Sequence, residues 1–309
     1  MLYYRQYINE DTFEFILDML IALSILWAIY GLFEQIQILD RLGYDHFTLK
    51  VFSRRENRLN SVFFNANYYA MMIEFTIMMI GYKIFGTKNV KKQLYYFIVA
   101  CLNFFLLYMT GCRTAFVATA GAMLVFLIIN KNYRICSLIG LLCIIGGIYF
   151  IFNPEQFPRI EKLVDNFTVR TKIWHAAIEG IKAHPLFGQG PMTYMMIFKQ
   201  YGGHVTQHAH SVYLDPILSF GVVGVATLVP YMFDNCKRLF KVYQEKLNLR
   251  YVALVISCIA VILLHGVLDY TIFWVHTGML FLLIASSFEM FKHCLLYTSD
   301  AADDMQCVD

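Results

Sequence analysis

Residues 102–129 read LNFFLLYMTGCRTAFVATAGAMLVFLII, two long apolar runs separated only by the turn TGCRT, which contains Arg113. A helix needs about 20 mainly apolar residues to cross the hydrocarbon layer of a membrane. Lipid offers no hydrogen-bond partners, so each run must satisfy its own backbone as a helix. The stretch therefore predicts two membrane helices joined by a tight turn.

Similar apolar runs occur along the rest of the chain. Of the 309 residues, 59% are hydrophobic and only 15% are charged, and the mean hydropathy is +0.54. Soluble domains carry about 25% charged residues. The composition excludes an ordinary soluble domain, and the net charge of +3 is too small to indicate a nucleic-acid partner. We therefore expect an all-α polytopic membrane protein embedded in a lipid bilayer.

The apolar runs predict about eight transmembrane helices within a single transmembrane domain, residues 1–293. No small-residue cleavage site follows the first run, so we interpret it as an anchor rather than a removable signal peptide. The runs lie near residues 12–32, 67–86, 94–110, 113–130, 134–152, 211–233, 250–267 and 271–291.

Basic residues predict the orientation. Eleven lysines and arginines fall in three short stretches, 83–92, 131–134 and 237–250, and eleven more are spread over the long loops 33–66 and 153–210. Short basic loops stay in the cytoplasm. The long loops are therefore expected to face outward, away from the cytoplasm, and loop 153–210 is expected to carry short interfacial helices.

The end of the chain looks foreign to the rest. After His293, residues 294–304 read CLLYTSDAADD, which resembles an in-frame translation of a transposase sequencing adaptor. We expect residues 294–309 to be a non-native tail and the natural chain to have been cut near His293. The opening at Met1 is expected to mark a second truncation.

Loop 153–210 has an internal order. From residue 169 to 183 apolar residues recur at helical spacing, which predicts an amphipathic helix that ends before Pro185. Gly188 and Gly190 follow it and permit positive φ or a close backbone approach. Gly202 and Gly203 are expected to end a second short helix.

Three histidines, His204, His208 and His210, then lie within seven residues, directly before the next span. A metal site is one interpretation, but no cysteine or acidic pattern completes it, so we predict none. A solvated polar loop is the second. A catalytic or substrate-positioning role, which suits a neutral imidazole, is the third.

Arginines form another group on the predicted outer face. Arg113 lies in the short turn between two spans, where it either snorkels to the interface or binds a partner. Arg170 begins the amphipathic helix, and Arg54, Arg55 and Arg58 lie in the other long loop. Arginine grips phosphate oxygens bidentately, and a lipid-linked diphosphate would place its phosphates at this depth.

Three further ionisable residues lie in or beside predicted spans. Glu74 is either functional or satisfied by a helix contact. His265 and Asp269 are one turn apart, so one could orient the other.

Four segments together resemble the O-antigen ligase and polymerase superfamily. They are RLNSVFFNANYYA at 58–70, GCRTAFVATAGAML at 111–124, RTKIWHAAIEGIKAHPLFGQGP at 170–191 and HAHSVYLDPILSFGVVG at 208–224. They occur in the order typical of that family. Cys112, Met192 and Ser211 depart from its usual serine, glycine and asparagine.

The resemblance implies a glycosyltransferase, without a cofactor, that moves a glycan from undecaprenyl diphosphate to a glycan or lipid-core acceptor. It implies that Arg113 and Arg170 neutralise the diphosphate and that His210 orients or deprotonates the attacking hydroxyl. The substrate-binding residues that it implies are Arg58, Asn67, Trp174, Gly188, Gly190 and His208. Ligase and polymerase share this donor and are not separated by these motifs.

Two other classes of protein fit a bundle of this size. A solute transporter is the main alternative, but transporters tend to show repeats and broken helices at mid-membrane, which the sequence does not predict. An envelope scaffold is the other, and it would leave the arginines and histidines unexplained.

Overall fold

The computed structural model describes residues 2–52, 54–156 and 159–291, and no strand occurs among them. The predicted tail 294–309 lies outside the described residues. The twelve α-helices of the described chain are α1 (Leu2–Tyr7), α2 (Glu10–Leu42), α3 (Ala66–Gly86), α4 (Val90–Thr110), α5 (Arg113–Ile129), α6 (Tyr133–Phe152), α7 (Leu163–Ala183), α8 (Thr193–Ile197), α9 (Asp215–Ala226), α10 (Leu228–Gln244), α11 (Leu249–His265) and α12 (Val275–Ala285).

Asparagines and glycines set many of the helix ends. A side-chain oxygen that accepts a backbone N–H satisfies one of the unpaired donors at a helix start. Left-handed glycine at a helix end turns the chain away without a Cβ clash. The asparagine caps are Asn9, Asn65, Asn89 and Asn248, and the terminating glycines are Gly43 and Gly111.

Helix α3 is the centre of the bundle. Nearly every residue from Tyr68 to Ile80 is buried, and α2, α4, α5, α11 and α12 pack around it. By contrast, α6 has no buried residue, so its apolar surface is left for lipid. The all-α architecture is confirmed by these packed helices.

The two ends of α3 have different partners. At its start, Asn67 donates a hydrogen bond to Asp269, and at its end Lys83 pairs with Glu14 and Asp18. Sixteen residues of helix separate these contacts by about 24 Å. The arginines and histidines of the candidate site therefore lie at one end of the bundle and the Lys83 network lies at the other.

The structure does not confirm the predicted number of membrane spans. Every predicted span overlaps a helix, but among the described residues only α2, α4 and α6 are long and apolar enough to cross a membrane. The bent pair α9 and α10 makes a fourth if it is one span. The count of about eight and the outward orientation stay predictions.

The first span was predicted too short. Helix α2 runs for 33 residues, about 50 Å, well beyond the expected end at residue 32. Its polar last turns bind the following loop: Glu34 accepts the backbone N–H groups of Asn60 and Ser61, and Arg41 donates to Asn57. The loop is thereby folded back toward α3, which brings Arg58 to the bundle.

The predicted span 211–233 is broken. Gly221 has φ 67° inside α9, and α10 leaves α9 at an angle of 71°. The backbone N–H groups of Val222 and Val223 donate instead to the carbonyls of Pro185 and Leu186, at 2.9 and 3.0 Å. Loop 153–210 thus supplies the hydrogen bonds that the break removes from the helix.

Loop 153–210 forms a small hydrophobic core together with α9. Helix α7 ends at Ala183, just before His184-Pro185, as predicted, whereas α8 ends at Ile197, before the glycines that were expected to stop it. The buried residues between α7, α8 and α9 are Ile173, Ala176, Ala177, Tyr194, Ile197, Ala209 and Leu218. This core fixes α7, which carries Arg170, beside the histidine segment that precedes α9.

Candidate active site

The turn between α4 and α5 places Arg113 at the end of the bundle. Gly111, with φ 62°, ends α4, and Cys112 occupies the cap position before Arg113, the first residue of α5. Arg113 is partly buried, and its Nη1 donates to the carbonyl of Arg159 at 2.7 Å. The two spans predicted from this stretch, and the tight turn between them, correspond to α4 and α5.

Arg159 is a site residue that the sequence did not single out. Its Nη1 donates to the carbonyl of Gly111 at 3.3 Å and its own carbonyl accepts from Arg113, so two hydrogen bonds tie Arg159 to the α4–α5 turn. The buried Nε of Arg159 has no hydrogen-bond partner among the described residues. Nothing in the sequence distinguishes this arginine from a surface residue, because only the folded loop brings it to the α4–α5 turn.

Arg58 and Asn67 join the same group from the first long loop. Arg58 is buried; its Nε donates to the carbonyl of Thr110 at 2.9 Å and its Nη2 donates to Asn67 Oδ1 at 2.8 Å. Burial lowers the pKa of Arg58 to about 10, and the nearby charges of Arg159 and Arg113 act in the same direction. The guanidinium is still charged at neutral pH, in a site already crowded with positive charge.

His210 is held by a buried carboxylate, Asp269. His210 Nδ1 lies 2.7 Å from Asp269 Oδ1, and Asp269 also accepts hydrogen bonds from the Asn67 side chain and the Tyr270 N–H. Burial alone would raise the pKa of Asp269, but His210 and Arg170 outweigh it and hold the pKa well below its usual range. Asp269 is therefore ionised at neutral pH.

The expected pairing of His265 with Asp269 is wrong. His265 Nδ1 instead faces Glu74 at 2.7 Å. The chain turns after His265, so Asp269 leaves the helix and points to the histidine segment. Helical spacing could not foresee this, since α11 ends between the two residues.

Arg170 and His208 complete the group. Arg170 Nη2 lies 3.9 Å from Asp269 Oδ2, and its buried Nη1 has no hydrogen-bond partner among the described residues. The ring of His208 lies 4.4 Å from that of His210, and His208 Nδ1 accepts the His210 N–H at 3.3 Å. One carboxylate, two imidazoles and four guanidinium groups thus converge at this end of the bundle.

Asp215 holds the histidine segment in its turn. Its carboxylate accepts the N–H of Ala209, between the two histidines, and the hydroxyl of Ser219 at 3.3 Å. His210 itself has φ 49°, in the left-handed region that is uncommon for residues other than glycine. Asp215 therefore shapes the loop that presents both imidazoles.

The remaining predicted residues lie elsewhere. Trp174, one turn beyond Arg170, packs on the small core of the outer loop. Gly188 and Gly190 have φ values of 63° and 95°; the Gly190 N–H donates to the carbonyl of Ser219, and a Cβ on Gly188 would meet the same carbonyl. The structure thus sets both glycines against α9, beside its break. Arg54 is exposed, and the side chain of Arg55 is not described.

Three of these side chains have a spacing that could hold a metal ion. Ligand atoms of His208, His210 and Asp269 all lie within 4.8 Å of one another. His204, which the metal interpretation of the sequence grouped with the other two histidines, is exposed and outside this set. The donor set suits a transition metal, but Arg170 and Arg58 oppose a dication there. That the site works without a metal stays a prediction.

Comparison with protein families gave a match over part of the chain. A family model described as O-antigen ligase matches residues 98–229. This match supports an O-antigen ligase-like superfamily for these residues. The ligase match contains Arg113, Arg170, His208 and His210, whereas Arg58, Asn67 and Asp269 lie outside it. Comparison with curated proteins gave no significant match.

The match supports an O-antigen ligase-like function in surface polysaccharide synthesis. The ligase family suggests an enzyme that transfers glycans and implies lipid-linked glycan substrates. Together with the apolar helices it also suggests a membrane protein.

Proposed function

We propose that the chain transfers or polymerises a glycan carried on undecaprenyl diphosphate, without a metal, on the outer face of a bacterial inner membrane. The glycan or lipid-core acceptor supplies the attacking hydroxyl. A new bond forms between that oxygen and the anomeric carbon of the transferred sugar, while the bond from the anomeric carbon to the diphosphate breaks.

The excess of guanidinium groups in the site carries this proposal. Arg58, Arg113, Arg159 and Arg170 outnumber the carboxylates that act on them, Asp269 and Glu161. Among the described residues, a buried N–H of Arg159 and one of Arg170 have no hydrogen-bond partner. Buried charge that is not neutralised is costly, so the group favours an anion with several oxygens. A diphosphate has both the charge and the acceptor atoms.

The leaving group gains most from these charges. Negative charge develops on the diphosphate as its bond to the sugar breaks, and preorganised positive groups in a partly dry site stabilise that change. Arg113 and Arg170 enter the site from α5 and α7, on helices packed into the two cores. Fixed positions limit the reorganisation needed during the reaction.

His210 is suited to accept the proton of the acceptor. Because Asp269 holds Nδ1, the other nitrogen, Nε2, is the one that can take a proton; at present it lies 3.0 Å from Thr206 Oγ1. A carboxylate behind an imidazole fixes its tautomer and stabilises the imidazolium that forms. His208, against the ring of His210, would help to bind the substrate.

The alternative, a solute transporter, has one observation in its favour. The break at Gly221 is a feature that transporters use at their binding sites. In this chain the N–H groups exposed by the break bind the outer loop rather than a substrate cavity, and the charged cluster lies at the end of the bundle. Glycan transfer is therefore the better-supported function.

The direct test uses the full chain in lipid nanodiscs with a labelled polyprenyl-diphosphate glycan. We expect release of polyprenyl diphosphate, and we expect Arg113→Ala and Arg170→Ala each to reduce turnover about 100-fold or more. Arg134→Ala, an exposed arginine on α6, is the matched control and should keep full turnover. Unchanged turnover in both site variants would falsify the proposal that Arg113 and Arg170 bind the diphosphate.

A further inference from the structure

Glu74 on α3 and His265 on α11 form a buried pair that the proposed reaction does not use. Glu74 Oε2 lies 2.7 Å from His265 Nδ1, and both side chains are fully buried. Glu74 Oε1 has no hydrogen-bond partner among the described residues. Ionisable side chains inside a helix bundle of a membrane protein are costly, and retaining two of them indicates a role.

The far side of the imidazole contacts the turn that carries Arg113. His265 Nε2 lies 3.8 Å from Cys112 Sγ, and Cys112 directly precedes Arg113. The Cys112 N–H in turn donates to Thr110 Oγ1 at 3.2 Å. His265 is thus linked through Cys112 to the start of α5.

The same end of α11 also binds the loop that carries His210. The Val212 N–H donates to the carbonyl of Gly266 at 2.8 Å, and the Tyr213 hydroxyl donates to the carbonyl of Leu263 at 3.0 Å. The Val212 side chain fills the space that a Cβ on Gly266 would need. The end of α11 therefore contacts both the turn that carries Arg113 and the segment that carries His210.

We propose that Glu74 and His265 are positioning residues that set the distance between Arg113 and His210. The inference rests on the proposed function, in which the diphosphate must be neutralised as the acceptor loses its proton. Both events need a fixed spacing, and a displacement of about 1 Å can cost about 100-fold in rate. The pair anchors α11 to the central helix α3, and the end of α11 then holds the two halves.

The activity test measures kcat and KM for His265→Gln and Glu74→Gln in the full chain. We expect kcat to fall about 10- to 100-fold with little change in KM for the donor. Because His265 acts through Arg113, its effect should be strongly non-additive with Arg113→Lys in a double-mutant cycle. Ser257→Ala on α11, whose hydroxyl donates to the Leu254 carbonyl of the same helix, is the buried control and should stay near wild type.

Hydrogen exchange gives a second readout that does not depend on turnover. In His265→Gln, amide exchange should rise both in the turn 110–114 and in the segment 208–214, while α6 is unchanged. Additive kinetics, or unchanged exchange in both segments, would overturn the positioning role. A wild-type chain without turnover would contradict the proposed function alone, and the exchange result would then decide the positioning role by itself.

Discussion

His210 Nδ1 lies 2.7 Å from Asp269 Oδ1, although 59 residues separate the two in the chain. The contact joins the segment before α9 to the short connection after α11. Asp269 also binds Asn67 at the start of the central helix α3. One buried carboxylate thus ties the imidazole of the proposed base to the most buried element of the fold.

Asp269→Asn should lower turnover about 10²- to 10⁴-fold, because the amide no longer stabilises the imidazolium. Binding of the donor should change much less, since the arginines that grip the diphosphate remain. Turnover and donor binding are measured on the same preparation, with the exposed Asp234→Asn as the control. Equal losses in both quantities would assign Asp269 a purely structural role.

Arg159→Ala should weaken donor binding about 10- to 100-fold, as expected for the loss of a hydrogen bond to a charged group. Arg159→Lys should not restore it, because an ammonium lacks the planar fork of a guanidinium. Binding of fluorescent polyprenyl diphosphate measures both variants. Lys162→Ala, an exposed cation three residues away, is the control. Wild-type affinity in Arg159→Ala would show that Arg159 does not bind the diphosphate.

Inorganic pyrophosphate should raise the Tm of the purified chain. At about 100 times its Kd, a ligand that binds only the native state stabilises it by about 2.7 kcal/mol. Orthophosphate, with fewer oxygens and less charge, should raise the Tm less. The shift should shrink in Arg170→Ala but not in Arg134→Ala. Equal shifts in these two variants would indicate that pyrophosphate binds away from the site.

The stabilising effect of Asp269 should depend on pH in one direction. The native state holds the pKa of Asp269 well below its usual range, so the carboxylate is favoured by folding. Its contribution is full above about pH 4, near the pKa of unfolded aspartate, and is lost as the pH falls through the lower native pKa. The Tm gap between wild type and Asp269→Asn should be present at about pH 5 and shrink below about pH 4. A gap that widens on acidification would contradict this sign.

Turnover should survive extensive chelation. The arginines neutralise the leaving group, so the reaction needs no Lewis acid. Removal of divalent ions with a chelator, followed by the labelled-donor assay, checks this expectation. Loss of activity that zinc restores would instead favour the His208, His210 and Asp269 set as a metal site.

Much of the helix pattern was predictable because apolar runs and asparagine caps are local signals. The end of α2 was not, since Glu34, Gln35 and Arg41 read as a loop, whereas the helix continues to Leu42. The break at Gly221 was not predictable either. Its N–H groups are satisfied by the distant carbonyls of Pro185 and Leu186, which only the tertiary structure brings there.

The candidate site shows the same division. Arg113, Arg170 and His210 stand in segments that resemble a known family, so the sequence could predict them as a group. Arg159 and Asp269 carry no such pattern, and they enter the site only when the loops fold. Their contribution depends on contacts between residues that lie 46 and 59 positions apart in the chain.

The two hydrogen bonds at the broken helix also hold the chain that follows α7. Val222 and Val223 donate to the carbonyls of Pro185 and Leu186. If that segment moved away, two backbone N–H groups would lose their hydrogen bonds in a low-dielectric environment. The chain at the carboxyl end of α7 is therefore held in place by these two hydrogen bonds. The amino end of α7, around Leu163, has exposed side chains and takes no part in these two hydrogen bonds.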